Sequence, residues 1–179
     1  MTVIAHENAK KNIEAGKADT VLPTETFSDE MVFRIGGKTF ELKYLGEGHG
    51  DDLIATVVRP ENVAFVVDAV SPKRLPFRNF PRTDIAGLIN QIKVIESLSF
   101  KTLVPGHSVV GTKQDATDTR VYIEKLMAEV TTGLKAGKSI DDLVKSVTMD
   151  AYKGWGAYGQ FRPLNIQGMA AWLKQAGKV

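Results

Sequence analysis

Cysteine is absent from the 179 residues. That excludes disulfides, thiolate metal sites and thiol nucleophiles. It leaves the compartment open, because such a chain folds equally well in reducing and oxidising surroundings. Long apolar runs are absent too, and nothing approaches the roughly 20 residues needed to cross a bilayer. The opening stretch, MTVIAHENAKKN, lacks the charged-then-apolar order of a secretory signal. As it stands the chain is expected in the cytoplasm, and an export signal lost with a longer N-terminus would reverse that. An excess of one charge is also missing. With 23 basic and 21 acidic side chains the net charge is +2, too small to imply nucleic acid or a membrane surface as partner. There is no phosphate-binding glycine loop, no Gly-x-Ser-x-Gly nucleophile elbow, no repeat and no low-complexity tract. What remains is 43% hydrophobic and 25% charged, the balance of one globular domain with a real core, spanning residues 1–179.

The periodicities read as strands first and helices later. Ala5–Gly16 reads as a short helix ended by glycine, with His6 on its solvated face. Leu22–Ser28 is a Pro/Thr-rich connector. Met31–Ile35 and Thr39–Leu45 flank Gly36-Gly37 as a hairpin. Leu53–Val58 and Val63–Val67, rich in β-branched residues, are joined by a turn at Arg59-Pro60-Glu61-Asn62. Ser71–Arg82 is an ordered loop. Asp84–Leu98 carries Ile85, Leu88, Ile89, Ile92 and Ile95 at helical spacing, capped by Thr83 or Asp84. A short strand at Thr102–Val104 precedes a helix from about Asp115 to Ala136. A further helix is capped by Ser139, and a last one, Asn165–Gln175, follows Pro163. Trp155, Tyr158 and Phe161 pack the C-terminal tail. The order describes an α/β layered domain.

Three chemistry-bearing residues each end a strand-like run: His49 in Gly46-Glu47-Gly48-His49-Gly50, Asp68 after Val63–Val67, and His107 in Pro105-Gly106-His107. Side chains so placed can converge on one rim of a sheet. Singly, each reads equally well as a loop histidine or a turn-forming aspartate. Together, His–Asp–His makes a candidate metal site. Asp51 and Asp52 either shape the turn or orient His49 from behind the metal. Lys73, Arg74 and Arg78, interleaved with Phe77 and Phe80, either receive an anionic substrate beside Asp68 or form a surface loop with packed aromatics. No residue stands out as a general acid, base or nucleophile.

The run strand, Gly-x-Gly-His, two strands, Asp, helix, strand, Pro-Gly-His resembles the later metal motifs of the metallo-β-lactamase superfamily. Val3–Ala9 resembles the segment that follows its first metal motif, and Tyr158–Leu173 the tail of one hydrolase branch. The resemblance implies an αββα sandwich, here incomplete and mainly its C-terminal αβ half, N-terminally truncated. It implies one or two zinc ions, with His49 on one, His107 on the other and Asp68 bridging. It also implies hydrolysis of a small-molecule ester, thioester, amide or phosphoester. The superfamily's early His-x-His-x-Asp-His cluster is absent, because His6 stands alone. Val67 occupies a position where glycine is usual. A catalytic zinc holds about three protein ligands plus water, whereas each ion here would have one histidine and a share of Asp68. The chain alone is therefore expected to bind zinc weakly and to be inactive or weakly active.

A second reading is a non-catalytic half-fold. Thr39–Leu45, Leu53–Val58 and Val63–Val67 are apolar on both faces, and such strands expect cover on both. Helices can cover one face. A two-fold homodimer would cover the other, unless the Leu22–Ser28 connector and the C-terminal tail fold across it.

Overall fold

The architecture follows from where the apolar residues fall on each strand. A computed structural model describes residues 1–179. Strand β1 (Ile4–His6) leads into helix α1 (Glu7–Gly16), and β2 (Glu25–Phe27) returns parallel to β1. A five-stranded sheet follows: β3 (Glu30–Ile35), β4 (Lys38–Tyr44), β5 (Ile54–Arg59), β6 (Val63–Val66) and β7 (Thr102–Pro105). Its spatial order is β3-β4-β5-β6-β7. Neighbours are antiparallel except β6 and β7, which run parallel. That pair needs a crossover, and α2 (Ile85–Ser97) supplies it. Helices α3 (Lys113–Lys135), α4 (Ile140–Ser146) and α5 (Tyr158–Gln175) complete the chain. No helix is long and apolar enough to cross a membrane.

The β3–β4 hairpin turns on Gly36 and Gly37, both at positive φ (58° and 75°), as a two-residue type I′ loop requires. Beyond it, alternation divides the sheet. Ala55, Val57, Ala64, Val66 and Leu103 point to the helices and are buried against Ile85, Leu88, Ile92 and Ile95 of α2 and Ile123 and Leu126 of α3. The register sets Phe33, Phe40, Val58 and Val63 in line on the opposite face, with Leu42, Thr56, Phe65 and Val104 in the next row. Helices cover only the first face. Phe65 is 46% exposed, and Ile35, beside this face, 65%.

The hairpin, the next two strands, α2 and the helix capped by Ser139 fall within a few residues of expectation. Asp84, not Thr83, caps α2, its carboxylate accepting from Gly87 N at 2.8 Å. Four readings are corrected. Ala5–Gly16 begins as a strand, and the Leu22–Ser28 connector contains a second one. His6 is not solvated. It is 3% exposed, stacked on Tyr44 at 3.8 Å and hydrogen-bonded through Nε2 to Ser28 O at 2.8 Å. This N-terminal pair covers only the Tyr44 end of the open sheet face. The last helix starts at Tyr158, seven residues before Asn165, and contains Pro163. Phe161, Asn165, Ile166 and Met169 are buried along one side of it. Arg162 donates to Val144 O and Val147 O at 2.8 and 2.7 Å. These contacts outweigh the single intrahelical bond that proline removes.

Candidate metal centre

His49 lies on the β4–β5 connection, where glycines let the chain fold tightly against α2. A Cβ at Gly48 would stand 2.5 Å from the Gly87 carbonyl carbon, and one at Gly87 2.3 Å from Glu47 O. Neither position admits a side chain, so loop and helix meet backbone to backbone. Asp84 N donates to Gly48 O at 2.9 Å. Gln91, fully buried, clamps the loop from both ends. Its Oε1 accepts from His49 N at 2.8 Å, and its Nε2 donates to Gly46 O at 2.7 Å.

Asp68 follows β6 with φ at +64°, a left-handed conformation that costs a non-glycine residue about 1 kcal/mol. His107 follows β7, where Gly106 sits so close to Val67 that a Cβ would meet its Cγ1 at 2.7 Å. The valine in the usual glycine position thus packs directly on Gly106. The strand ends bring the three residues together around the aspartate. His107 Nε2 lies 2.9 Å from Asp68 Oδ1, and His49 Nε2 lies 3.6 Å from Asp68 Oδ2. The side chains of His49 and Asp68 are about one third exposed and that of His107 two thirds, so all three are open to solvent.

The His49 ring is oriented by Thr83. Its Nδ1 lies 2.9 Å from Thr83 Oγ1, and that hydroxyl donates to Pro81 O at 3.0 Å. With its proton committed to Pro81, the hydroxyl oxygen accepts from Nδ1–H, which turns Nε2 toward Asp68. Asp51 and Asp52 do not take this orienting role. Asp51 O accepts from Tyr44 Oη at 2.9 Å and from Asn8 Nδ2 at 2.8 Å, and Asp51 Oδ1 accepts from Asn12 Nδ2 at 2.8 Å. It ties the loop to α1. Asp52 reaches Asn12 only at 3.4 Å and lines the cavity.

That cavity, of about 780 Å³, opens beside His49, Asp68 and His107. The Ser71–Arg82 loop forms its far wall. Arg74 lines it. Lys73 does not, since its ammonium pairs with Asp118 at 2.7 Å and Asp115 at 3.2 Å on α3. Hydrogen bonding to Asp118 and Asp115 holds the Lys73 pKa above its ordinary value. Arg78 stacks 4.9 Å from the Phe77 ring and faces a separate groove against α5. Arg82 lines both spaces. The loop is pinned by α5. Asn165 Nδ2 donates to Pro76 O at 3.0 Å and to Arg78 O, and its Oδ1 accepts from the buried Tyr122 hydroxyl at 2.7 Å.

Two imidazoles and a carboxylate suit zinc chemically, but the ligand number falls short. Each Asp68 oxygen faces a different imidazole, and no cluster of three or more His, Asp or Glu side chains closes around one point. Thr83 and Gln91 hold His49 in place, and sequence reading missed both contacts. Gln91 was visible in principle, as a polar residue on the apolar α2 stripe at Leu88, Ile92 and Ile95.

No protein-family model and no curated protein matches this sequence. Solved structures do. A metallo-β-lactamase from Pontibacter korlensis matches with a TM-score of 0.59 and 22% identity, over 69% of this chain and 58% of that one. TMB-1 matches with a TM-score of 0.61 and 18% identity, over 70% and 57%. VMB-1 matches with 0.57 and 20%, over 68% and 56%. The chain thus spans less than three fifths of the length of each. At these identities the likeness concerns architecture, and over the shared part this chain has the metallo-β-lactamase fold.

Proposed function

We propose that residues 1–179 are the C-terminal αβ half of a zinc-dependent hydrolase acting on a small-molecule ester, thioester, amide or phosphoester. The observation that carries this reading is Asp68 set between two imidazole Nε2 atoms, at 2.9 and 3.6 Å, beside an open cavity. His49 and His107 would each hold an ion, and Asp68 would bridge them. Zinc bound there supplies Lewis acidity at the scissile bond. The chain's own residues set the stage. Thr83 and Gln91 fix the ring and backbone of His49, and the Ser71–Arg82 loop walls the cavity. Two protein ligands per ion retain zinc poorly, so efficient turnover requires further donors from a segment bearing the first metal motif. Elemental analysis after dialysis tests the site. Little retained zinc is expected, with any bound ion lost in H49A, D68A and H107A. Tight zinc that survives all three substitutions refutes the assignment. Robust hydrolysis by this chain alone, sensitive to chelator and to H107A, refutes the need for a complementing segment.

A second reading rests on the sheet face bearing Phe40, Val58 and Val63 with the exposed Phe65. Here the chain is a non-catalytic half-fold that pairs with a second copy sheet on sheet. Burying even a few hundred Å² of such surface contributes several kcal/mol at roughly 25 cal/mol per Å². Light scattering at low micromolar protein decides it, and a clean monomer mass with no dye-binding apolar surface rejects the dimer.

A further inference from the structure

Strand β3 ends the five-stranded sheet and pairs with β4 alone. Its outer edge offers backbone groups to a further strand, a feature that soluble proteins usually guard. Which groups face outward follows from the ladder. Tyr44 N donates to Asp29 O at 2.7 Å, so Asp29 and Tyr44 form a hydrogen-bonded pair, and such pairs alternate along the hairpin to Ile35 and Lys38. Met31, Phe33 and Ile35 therefore turn their N–H and C=O to β4. Glu30, Val32 and Arg34 turn theirs to solvent. The side chains of these three stand on the face opposite Phe33, where no helix covers them. That of Glu30 is 71% exposed, and Val32 is 59% exposed. Arg34 has no carboxylate within 4 Å, and its Nε reaches only Thr39 Oγ1, at 3.3 Å. Glu30 meets a cation only at 3.8 Å, on Lys43, which has a closer partner in Asp29 at 2.7 Å.

This edge is complementary to itself. An antiparallel second β3, turned about a two-fold axis through Val32, sets Glu30 opposite Arg34 of the second copy at both ends and Val32 opposite Val32. Every outward N–H then meets an outward C=O. Registers centred on Glu30 or Arg34 oppose like charges, and those centred on Met31 or Phe33 set a charge against Val32. On the open sheet face the favoured register puts Met31 opposite Phe33 of the second copy. Phe33 is stacked on Phe40 at 5.0 Å, so the two apolar faces run on as one. We propose that a second copy of this chain docks along β3, edge to edge in this register, and continues the sheet across a two-fold axis. The contact is separate from the metal centre and from the sheet face that Phe65 marks, and it does not rest on the hydrolase reading.

One short strand buries a small area, so association is followed by sedimentation equilibrium on the full chain from about 10 μM to about 1 mM, with chelator present. A dimer is expected. R34E and E30R alone should each weaken it at least about tenfold, because symmetry counts every like-charge pair twice. Their equimolar mixture should dimerise as the parent does, since each variant presents the charge that the other lacks, and so should the double swap E30R/R34E. V32P should abolish the dimer and still fold, because the Val32 amide faces away from β4. F65E, on the open face of β6, should leave the dimer unchanged. Monomer throughout, no recovery in the mixture, or a dimer lost in F65E but kept in V32P overturns the proposal, and the last outcome favours pairing sheet on sheet.

Discussion

Replacing Gln91 with leucine should loosen the His49 loop more than any exposed substitution could. The side chain is fully buried and makes two hydrogen bonds to backbone, one accepted from His49 N and one donated to Gly46 O. Leucine has similar volume, so packing changes little. Each neutral bond contributes about 1 kcal/mol, and each partner left unsatisfied under cover costs about 1–3 kcal/mol. With two partners so left, the loss is about 2–6 kcal/mol, a large part of the ~5–15 kcal/mol that holds a domain folded. Gln91→Glu adds a signature. The carboxylate still accepts from His49 N but cannot donate to Gly46 O, and burial raises its folded pKa. A raised folded pKa means that the native state binds the extra proton, so this variant should gain stability as pH falls and lose it as pH rises. Urea unfolding followed by the fluorescence of Trp155 and Trp172 reads both effects. If Gln91→Leu lies within about 0.5 kcal/mol of the parent, the range of ordinary surface substitutions, the clamp is not structural and the reasoning fails.

Gly168→Ala should destabilise by about 1–3 kcal/mol, the usual cost of overpacking, because its Cβ would stand 2.4 Å from Asn79 O; an unchanged urea midpoint would refute it. Tyr122→Phe should cost about 1–2 kcal/mol by leaving the buried Asn165 Oδ1 without its 2.7 Å donor, measured the same way. Burial opposes the charged form of Glu96, but hydrogen bonds from Arg120 and Thr117 outweigh it and hold its carboxyl below the ordinary 4.5. That contribution is complete above the unfolded value and is lost as pH falls through the folded one. Glu96→Gln should therefore flatten the acid limb of the stability curve below about pH 4.5, while an unaltered limb would exclude the pair as its source.

The strands and the three ligand candidates were legible because their signals are local. Gly36-Gly37 marks a hairpin by backbone conformation alone, and alternation in β5 and β6 marks a face. His49, Asp68 and His107 each end a strand, and an ordered sheet brings such ends to one rim. What escaped depends on contacts distant in sequence. Lys73 was grouped with Arg74 because they are adjacent, yet Lys73 turns to Asp115 and Asp118 on α3 while its neighbour lines the cavity. His6 looked solvated, yet Tyr44 at the end of β4 and Ser28 just after β2 pack against it. The start of α5 was hidden by Pro163, whose local veto yields to the buried Phe161 and Asn165. Thr83 was weighed only as a helix cap, a role that Asp84 takes, leaving its hydroxyl for His49.

The sheet's strand order has a consequence for how the site comes together in time. From β3 to β6 every strand pairs with its neighbour in sequence, so each closure spans a short loop and loses little chain entropy. Only β7 must wait for the crossover through α2. His49 and Asp68 can therefore reach their strand ends before His107 does. The Thr83 and Gln91 contacts that steady His49 form only when α2 docks. Read backwards, the same order describes local opening. If α2 lifts, Gln91 releases the His49 amide and Thr83 releases its ring, while the hairpin remains paired. Amide hydrogen exchange would then find His49 N opening together with α2, and the β4–β5 ladder opening later and at higher free energy.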